Sequence, residues 1–367
     1  MRFSSFADPF RIYTLKEVLQ RISFPVTVDE NKLYYQIGIR SHSKGIFYKE
    51  AESGKQIGNK RIFLIEPNCL ILNIVFAWEQ AVAKTSEKEV GMVASHRFPM
   101  YKVLNNSLDY IVDFFKTEKG KQLLQMASPG GAGRNKTLNQ DFFLSSKIYL
   151  PSLTEQLKTS ELIELIEDRI ETQIKIINDY KLLKKYITKS FIKQKGTSYL
   201  LSEIAELGRG RVISSAEISK QKNPIYPVYS SQTSNNGVMG YLDNYDYEGE
   251  YITWTTDGAN AGTVYYRNGK FNCTNVCGIL KIKNGYDAYY ISNILNCYTK
   301  KYVSTNLANP KLMNNVMANI KINLPSIERQ KYFSNILKAI EYRVKIEQDI
   351  KLNLVKQKVF LLKNMFL

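Results

Sequence analysis

The sequence is poor in the residues that build metal and disulfide sites. Its 367 residues include only two histidines, His42 and His96, so a zinc site has few ligands available and we predict that no metal is bound. Of the four cysteines, Cys273 and Cys277 stand four positions apart in a predicted strand, which would hold their thiols too far apart for a disulfide. This sparse use of cysteine favours a protein of the reducing cytoplasm.

Long hydrophobic runs are missing as well. No uninterrupted apolar stretch reaches the roughly 18 residues that a membrane span needs, so no transmembrane helix is predicted. The N-terminal residues lack the apolar region followed by small residues that marks an exported chain. Both observations predict a protein that stays in the cytoplasm.

Sequence motifs of catalysis are also absent. The glycine-rich stretches 130–133 and 208–211 match neither a dinucleotide-binding fingerprint nor a Walker phosphate loop. Residues 309–312 read Asn-Pro-Lys-Leu, which departs from the Asn-Pro-Pro-aromatic signature of an adenine methyltransferase. No nucleophile elbow, C-x-x-C pair or nuclease-like set of carboxylates and lysines stands out. We therefore predict that the chain has no catalytic residues and is not an enzyme by itself, since a stand-alone methyltransferase–nuclease would need these motifs.

Positive charge is what the sequence has in excess. The formal net charge is +17 and the isoelectric point is near 9.4. Such an excess suits a polyanionic partner, of which nucleic acid is the commonest. A chain that is basic only because its organism uses many lysines would show the same excess, so charge alone does not decide between the two.

An internal repeat organises the chain. Residues 148–156, Ile-Tyr-Leu-Pro-Ser-Leu-Thr-Glu-Gln, recur 174 positions later at 322–330 as Ile-Asn-Leu-Pro-Ser-Ile-Glu-Arg-Gln. A weaker echo relates residues 13–18 to residues 199–204, near the starts of the two halves. The repeat predicts the order domain, helix, domain, helix.

Both segments that follow the repeated motif have the pattern of long helices. They run from about 153 to 195 and from about 327 to 367 without glycine or proline, and each follows a Leu-Pro-Ser sequence typical of a helix start. A helix of roughly 40 residues spans about 60 Å, and its apolar stripe needs a partner. We predict that the two helices pair as an antiparallel coiled coil, the alternative being two surface helices that each pack on their own domain. The predicted stripes comprise Ile163, Ile166, Ile170, Ile174, Ile177, Leu183, Ile187 and Phe191, and Ile336, Ile340, Val344, Leu354, Leu361 and Met365.

The remaining segments have the composition of mixed domains that contain strands and helices. In the later one, residues 251–256 predict a strand, 263–273 a hairpin over Asn268-Gly269, and 286–301 a helix. In the earlier one, the predicted strands are 61–65 and 70–76 and the predicted helix is 108–126.

The predicted fold class is therefore α+β, with two pseudo-repeated mixed α/β domains separated by two long antiparallel coiled-coil helices. The first domain is predicted over residues 1–150 and the second over 197–323. The spacer helices are predicted over 151–196 and 324–367.

This organisation resembles the specificity subunits of type I restriction–modification systems. In that family two variable α+β domains are each followed by a long helix that opens with Leu-Pro-x-[Leu/Ile]-x-x-Gln. The resemblance covers essentially the whole chain, and the helix-entry repeat is its strongest element. The stretches that carry the rest of it are residues 2–10 at the start of the chain, 39–45, 76–79 and 94–99 in the first domain, and 226–237 and 255–259 in the second.

The resemblance implies a DNA sequence-specificity subunit. Each target-recognition domain would read one half of a bipartite target in double-stranded DNA, and the paired helices would set the gap between the halves. The helices would also dock two methyltransferase (modification) subunits, with restriction–translocase subunits attached outside them. S-adenosylmethionine, ATP and Mg²⁺ would belong to those partners, and this chain would bind no cofactor. The alternative is a scaffold that binds proteins through its coiled coil and domains without reading DNA.

Candidate DNA contacts follow from the chemistry of base recognition. Arginine or lysine reads guanine, and asparagine or glutamine reads adenine, when a loop carries them into a groove. An ordinary solvated turn has the same composition and remains the alternative for each loop. Trp78 and Trp254 are predicted core residues rather than base-stacking residues. The first-domain candidates are Arg40, Ser41, His42, Lys44, Ser95, His96, Arg97, Arg134, Asn135 and Lys136. The second-domain candidates are Arg209, Arg211, Tyr229, Ser230, Ser231, Gln232, Thr233, Asn235, Asn236, Thr255, Thr256, Asp257 and Asn260.

Overall fold

A computed structural model describes residues 2–130, 136–304 and 309–366. The candidate residues Arg134 and Asn135 lie outside the described residues. The chain divides into a first unit, Met1–Ile174 with Ile350–Leu367, and a second unit, Lys175–Asp349. The two long helices, α6 (Leu153–Ile192) and α11 (Ile327–Met365), each contribute one part to each unit.

The first unit contains antiparallel sheets covered by short helices. A four-stranded sheet has the order β10-β9-β12-β2 and a three-stranded sheet the order β11-β8-β3, while β1–β13, β4–β7 and β5–β6 form two-stranded pairs. The strands are β1 (Arg11–Thr14), β2 (Leu19–Ile22), β3 (Pro25–Val26), β4 (Leu33–Tyr34), β5 (Ile37–Ile39), β6 (Ile46–Tyr48), β7 (Glu52–Ser53), β8 (Ile62–Leu64), β9 (Leu70–Leu72), β10 (Val82–Lys84), β11 (Val93–Ser95), β12 (Met100–Val103) and β13 (Lys147–Leu150). The short helices are α1 (Leu15–Val18), α2 (Gly54–Ile57), α3 (Leu108–Lys116), α4 (Glu118–Met126) and α5 (Gln140–Ser145).

Two predicted elements of the first domain differ from the structure. The helix predicted over 108–126 is broken between α3 and α4, because the Thr117 hydroxyl oxygen accepts a hydrogen bond from the Gly120 amide and starts a new helix. Gly120 is needed there, since a Cβ at this position would lie 2.2 Å from the carbonyl oxygen of Phe114. The strand predicted over 70–76 ends at Leu72, and the chain then turns through residues 73–80.

The second unit is built around one mixed sheet. Its six strands have the order β15-β20-β18-β19-β16-β17, with β16 and β19 parallel and the other neighbours antiparallel. A further pair joins β14 and β21. The strands are β14 (Thr197–Leu200), β15 (Ala205–Arg209), β16 (Tyr226–Tyr229), β17 (Val238–Leu242), β18 (Tyr247–Thr255), β19 (Val264–Cys273), β20 (Cys277–Ile282) and β21 (Lys321–Leu324). The short helices are α7 (Leu201–Ile204), α8 (Ser215–Ser219), α9 (Ala288–Tyr298) and α10 (Asn314–Ala318).

The hairpin predicted over Asn268-Gly269 is wrong. Residues 264–273 form the single strand β19, which pairs with β18 along its length, from Val264 opposite Trp254 to Phe271 opposite Tyr247. An Asn-Gly pair makes a hairpin turn only where the segments on either side of it pair with each other, and here both pair with β18. Gly269 takes φ +104° within the strand, a conformation that glycine adopts at little cost.

The predicted placement of two cysteines in one strand is also wrong. Cys273 ends β19 and Cys277 begins β20, and the Cys277 amide donates to the Thr274 carbonyl in the tight turn between them. Both thiols are buried and free.

Trp254 is a core residue, as predicted from the sequence. Its side chain is completely buried, and its ring nitrogen donates to the Leu312 carbonyl at 3.0 Å. Gly278 on β20 leaves room for the indole, since a Cβ there would lie 2.2 Å from a ring carbon. Full burial of a large aromatic side chain removes it from any role in stacking on DNA bases.

The long helices pack on each other and on the domain core within each unit. In the first unit Ile163 and Ile166 of α6 share a buried cluster with Leu361 and Met365 of α11. Lys358 pairs with Glu167 at 2.5 Å. Later positions of one helix therefore meet earlier positions of the other, which confirms the antiparallel pairing.

The second unit repeats this arrangement with the other ends of the helices. Phe191 of α6 stacks on Phe333 of α11 with ring centroids 3.7 Å apart, and Lys184 pairs with Glu341. Two predicted stripe residues do not lie on the buried face, because Ile174 is 40% exposed and Leu183 is 44% exposed. The buried positions follow alternating steps of three and four, which place residues 173 and 184 on that face instead.

Candidate nucleic-acid interface

The candidate loops of the first domain meet at one segment, residues 73–80, which we call the hub segment. The Ile74 amide donates to the Arg97 carbonyl, and the Ile74 carbonyl accepts from the Leu138 amide at 2.8 Å. The Lys136 ammonium lies 5.0 Å from the centroid of the Trp78 ring. The hub segment thus contacts both residues 95–97 and residues 136–138.

The loop between β5 and β6 is tied to the same hub segment. The His42 amide donates to the Glu79 carbonyl, and the Ser43 amide donates to the Gln80 carbonyl at 3.0 Å. His42 and Ser43 have φ values of +60° and +53°, a left-handed conformation that costs energy for residues other than glycine and that neighbouring contacts must enforce. The loop therefore has a fixed shape. It leaves the side chains of Arg40, His42 and Lys44 exposed and that of Ser41 half-buried.

Sequence reasoning missed two arginines beside these loops. Arg21 and Arg61, both exposed, line one cleft of about 210 Å³ together with His96 and Gln140. No sequence motif marks either arginine, since one lies near the end of strand β2 and the other precedes β8. Only the pairing of those strands within their sheets brings them to the cleft that His96 lines.

In the second domain two candidate loops lie against each other. The Asn260 side-chain amide donates to the Thr233 hydroxyl at 3.2 Å, which links residues 255–260 to residues 230–236. Asn235 and Asn236 both take left-handed conformations, with φ of +47° and +54°, and their side chains are exposed. Asparagine tolerates this conformation better than most residues do. The structure therefore presents two neighbouring amide side chains to solvent beside Thr233.

Other second-domain candidates hold the loops rather than project from them. The buried Thr255 hydroxyl donates to the Asn260 carbonyl and accepts from the Thr263 amide. The buried Thr256 hydroxyl donates to Asp257, whose carboxylate also lies 3.6 Å from the Lys311 ammonium. These side chains are committed to contacts within the domain.

The rest of the polar loop has mixed exposure. The Gln232 side-chain amide donates to the Val238 carbonyl, and the Ser230 backbone amide donates to the Gly237 carbonyl at 2.9 Å. Ser230 is buried, whereas Ser231, Gln232 and Tyr229 are half-buried. Thr233, Asn235 and Asn236 are thus the exposed candidates of this loop.

The two arginines near the start of the second domain differ in their availability. The Arg211 guanidinium binds Glu217 through both terminal nitrogens and Asp246 through Nε. The hydrogen bonds from Arg211 lower the pKa of Glu217, and Glu217 in turn raises the pKa of Arg211. Arg209 is exposed, and its guanidinium donates to the sulfur of Met313, which is a weak acceptor. Arg209 is therefore held less firmly than Arg211 and is the stronger candidate of the two.

Two general findings bear on the chemistry. Within residues 2–130, 136–304 and 309–366, no cluster of three or more His, Cys, Asp or Glu side chains is arranged to hold a metal ion. Over the same residues, no helix combines the length and the apolar character that a membrane crossing requires.

Comparison with known proteins places this chain among DNA specificity proteins. A family model described as the type I restriction modification DNA specificity domain matches residues 195–357. A protein of Mycoplasma pneumoniae, named as the N-terminus of a putative type I specificity subunit, is 44% identical over 142 residues, which are 38% of this chain and 75% of that protein. The specificity subunit of the type I restriction enzyme MpnII from the same organism is 42% identical over 146 residues, which are 39% of this chain and 43% of that subunit.

Solved structures share the fold along nearly the whole chain. The S subunit of a type I restriction–modification system from Mycoplasma genitalium aligns with a TM-score of 0.64 and 12% identity, over 100% of this chain and 98% of that one. A chain from a structure described as the basis of complex assembly and conformational transition of the type I system aligns with a TM-score of 0.63 and 14% identity, over 97% of both chains. At such identities the likeness shows the fold alone.

The protein is therefore of the class that combines two α+β domains with two long antiparallel helices. The chain belongs to the specificity subunits of type I restriction–modification systems. It spans 75% of one curated relative but only 43% and 47% of two others that it matches, so the activities and partners of those whole proteins are proposals for this chain.

Proposed function

We propose that the chain reads a bipartite sequence in double-stranded DNA, with one domain for each half-site. The observation that carries this proposal is the duplicated plan. Each unit holds one domain in which the strand before a long helix pairs with the domain's first strand, as β13 does with β1 and β21 with β14. Two recognition domains on one chain suit two separate half-sites.

The loops of each domain supply chemistry that suits DNA. The first domain presents Arg40, Lys44 and Arg97 on loops joined by the hub segment, and the second presents Asn235 and Asn236. Cations bind phosphates and guanine, and amides read adenine. The net charge of +17 favours association with a polyanion over the protein-binding scaffold that the sequence left as an alternative.

We further propose that the helices dock two methyltransferase subunits. Tyr186 and Phe360 stand 174 positions apart in the repeat, and the two aromatic side chains are 74% and 55% exposed. Their matching places in the repeat support a surface that binds the same partner twice, because exposed apolar groups can mark protein–protein interaction sites. Restriction–translocase subunits would join through those partners. S-adenosylmethionine, ATP and Mg²⁺ would be bound by the partners, and this chain would perform no chemistry.

Replacing the second domain tests the proposal. Residues 199–323 would be exchanged for the equivalent segment of another specificity subunit, and the complex with its methyltransferase subunits would be offered a library of DNA duplexes. Sequencing of the methylated products should show a change in one half of the motif only. A change in both halves, or methylation without any defined motif, would contradict the two-reader model.

A further inference from the structure

Arg267 contacts residues 230–237 of the second domain, which we call the amide loop, and no sequence motif marks this arginine. It is on β19, and only 4% of its surface is exposed. Its guanidinium carbon lies 3.5 Å from the centroid of the Tyr229 ring and 4.4 Å from that of Tyr265. Buried arginines usually pair with carboxylates, whereas this one contacts aromatic rings, a hydroxyl and a backbone carbonyl.

Two hydrogen bonds from Arg267 connect the sheet to the amide loop. Nε donates to the Thr253 hydroxyl oxygen at 3.1 Å, which fixes the guanidinium on the neighbouring strand β18. Nη2 donates to the Asn236 carbonyl oxygen at 2.9 Å. Because a guanidinium is planar, one fixed edge determines where the other edge points. The position of the Asn236 carbonyl is thereby set by the sheet.

The contacted peptide belongs to a run of left-handed residues. Asn235, Asn236 and Gly237 have three successive positive φ values, +47°, +54° and +84°, and two of these residues carry a side chain. Such conformations persist only where surrounding contacts enforce them. Gly237 also lies against the arginine, since a Cβ at this position would be 3.1 Å from Nη2.

We propose that Arg267 is a positioning residue that sets the specificity of the second domain, by holding the Asn235 and Asn236 amides in the geometry that reads bases. This inference rests on the proposed DNA-reading function. Arg267 acts through the loop, since its own buried guanidinium is not presented to a groove. Arg267→Lys separates the effect of the charge from that of the hydrogen bonds. Lysine keeps the positive charge, but its ammonium group cannot bridge Thr253 and Asn236 with the fixed geometry of a guanidinium.

The test uses the full complex with its methyltransferase subunits and a library of duplexes randomised in both half-sites. Arg267→Met and Arg267→Lys are compared with the wild type, and Lys270→Met serves as a matched control because Lys270 is an exposed cation on the same strand. Both Arg267 variants should lower discrimination in the second half-site by about tenfold or more while the first half-site stays unchanged. The control should keep both half-sites.

Each other outcome is decisive. Wild-type recognition in the second half-site by Arg267→Lys would show that charge suffices and would overturn the positioning role, as would an unchanged motif in Arg267→Met. A wild-type complex that methylates no defined motif would instead defeat the proposed function. If the Arg267 variants do not fold, Gly237→Ala, which strains the same peptide and crowds Nη2, should relax the second half-site alone. An unchanged motif in that variant would overturn the inference.

Discussion

Glu341 forms an ion pair with Lys184, and Glu167 forms the equivalent ion pair with Lys358. The 174-residue shift of the repeat relates Glu167 to Glu341 and Lys184 to Lys358, so each helix supplies the acid once and the base once. The repeat therefore extends from the helix-entry motif to contacts between the helices. Such a match is expected where two copies of one helix pack antiparallel, because equivalent residues then meet at both ends of the pair.

The glutamine of the repeated motif anchors each long helix to its domain. Gln156 accepts a hydrogen bond from the Ser107 amide, and Gln330 accepts one from the Asp287 amide, at the residues that cap α3 and α9. Both glutamines are buried, and their amide groups also donate to the prolines that precede the helices.

Loss of this anchor should destabilise the second unit. Replacing Gln330 with Ala leaves the half-buried Asp287 amide and the buried Pro325 carbonyl without their partner, and we expect a loss of about 1–3 kcal/mol in the free energy of unfolding. Urea denaturation followed by fluorescence would measure it. Gln357→Ala, an exposed glutamine on the same helix, should change the free energy by no more than about 0.5 kcal/mol. Equal effects of the two substitutions would show that the anchor contributes nothing.

The acid stability of the first unit should depend on Glu167. Burial acts to raise the pKa of this carboxyl, but Lys116 and Lys358 outweigh burial and hold the pKa below its usual range. A carboxyl with a lowered pKa in the folded state contributes stability above its unfolded pKa, about 4.3, and that stability is lost as the pH falls through the folded value. Glu167→Gln should therefore flatten the decline in melting temperature below about pH 5. The exposed Glu161→Gln should leave the decline as steep as in the wild type.

The sequence predicts the long helices well because their signal is periodic and repeated. It does not predict β19 as one strand, because the partner that overrides the Asn-Gly turn signal, β18, lies outside the local sequence. The candidates Asn235 and Asn236 can be predicted from the sequence, because the segment around them is polar and rich in amide side chains. The role of the buried Arg267 cannot be predicted in this way, since it depends on contacts with Thr253 and Asn236 that only the folded sheet creates.

We expect the cleft lined by Arg21, Arg61 and His96 to bind a DNA phosphate, because two exposed arginines line it. Replacing Arg21 and Arg61 together with Ala should weaken binding to all DNA sequences by a similar factor. It should also reduce the slope of log affinity against log salt by about one for each phosphate that an arginine no longer neutralises. Fluorescence anisotropy at several salt concentrations would measure both effects. A change in the methylated motif without a change in slope would assign these arginines to base reading instead.

Glycine substitution can separate the amide side chains of the second domain from the backbone that carries them. Asn235→Gly and Asn236→Gly remove the amides and keep the left-handed backbone, which glycine adopts readily. If the amides read bases, each substitution should cost about 1–3 kcal/mol of discrimination in the second half-site. Methylation rates on duplexes that differ at one base pair would measure this. Full discrimination in the glycine variants, with loss only in the matching alanine variants, would show that the loop acts through its backbone shape.

The exposed aromatic residues of the helices predict the stoichiometry of the complex. Tyr186 and Phe360 occupy matching places in the repeat, so each should serve one methyltransferase subunit. A carboxylate introduced into an apolar contact would be desolvated and unpaired in the complex, and this cost opposes binding. Tyr186→Glu or Phe360→Glu alone should give complexes with one methyltransferase subunit, and the double variant should bind none, as native mass spectrometry would count. Exposed Glu161→Lys on α6 serves as a control for a change of charge. A double variant that still binds two subunits would place the docking surface elsewhere on the chain.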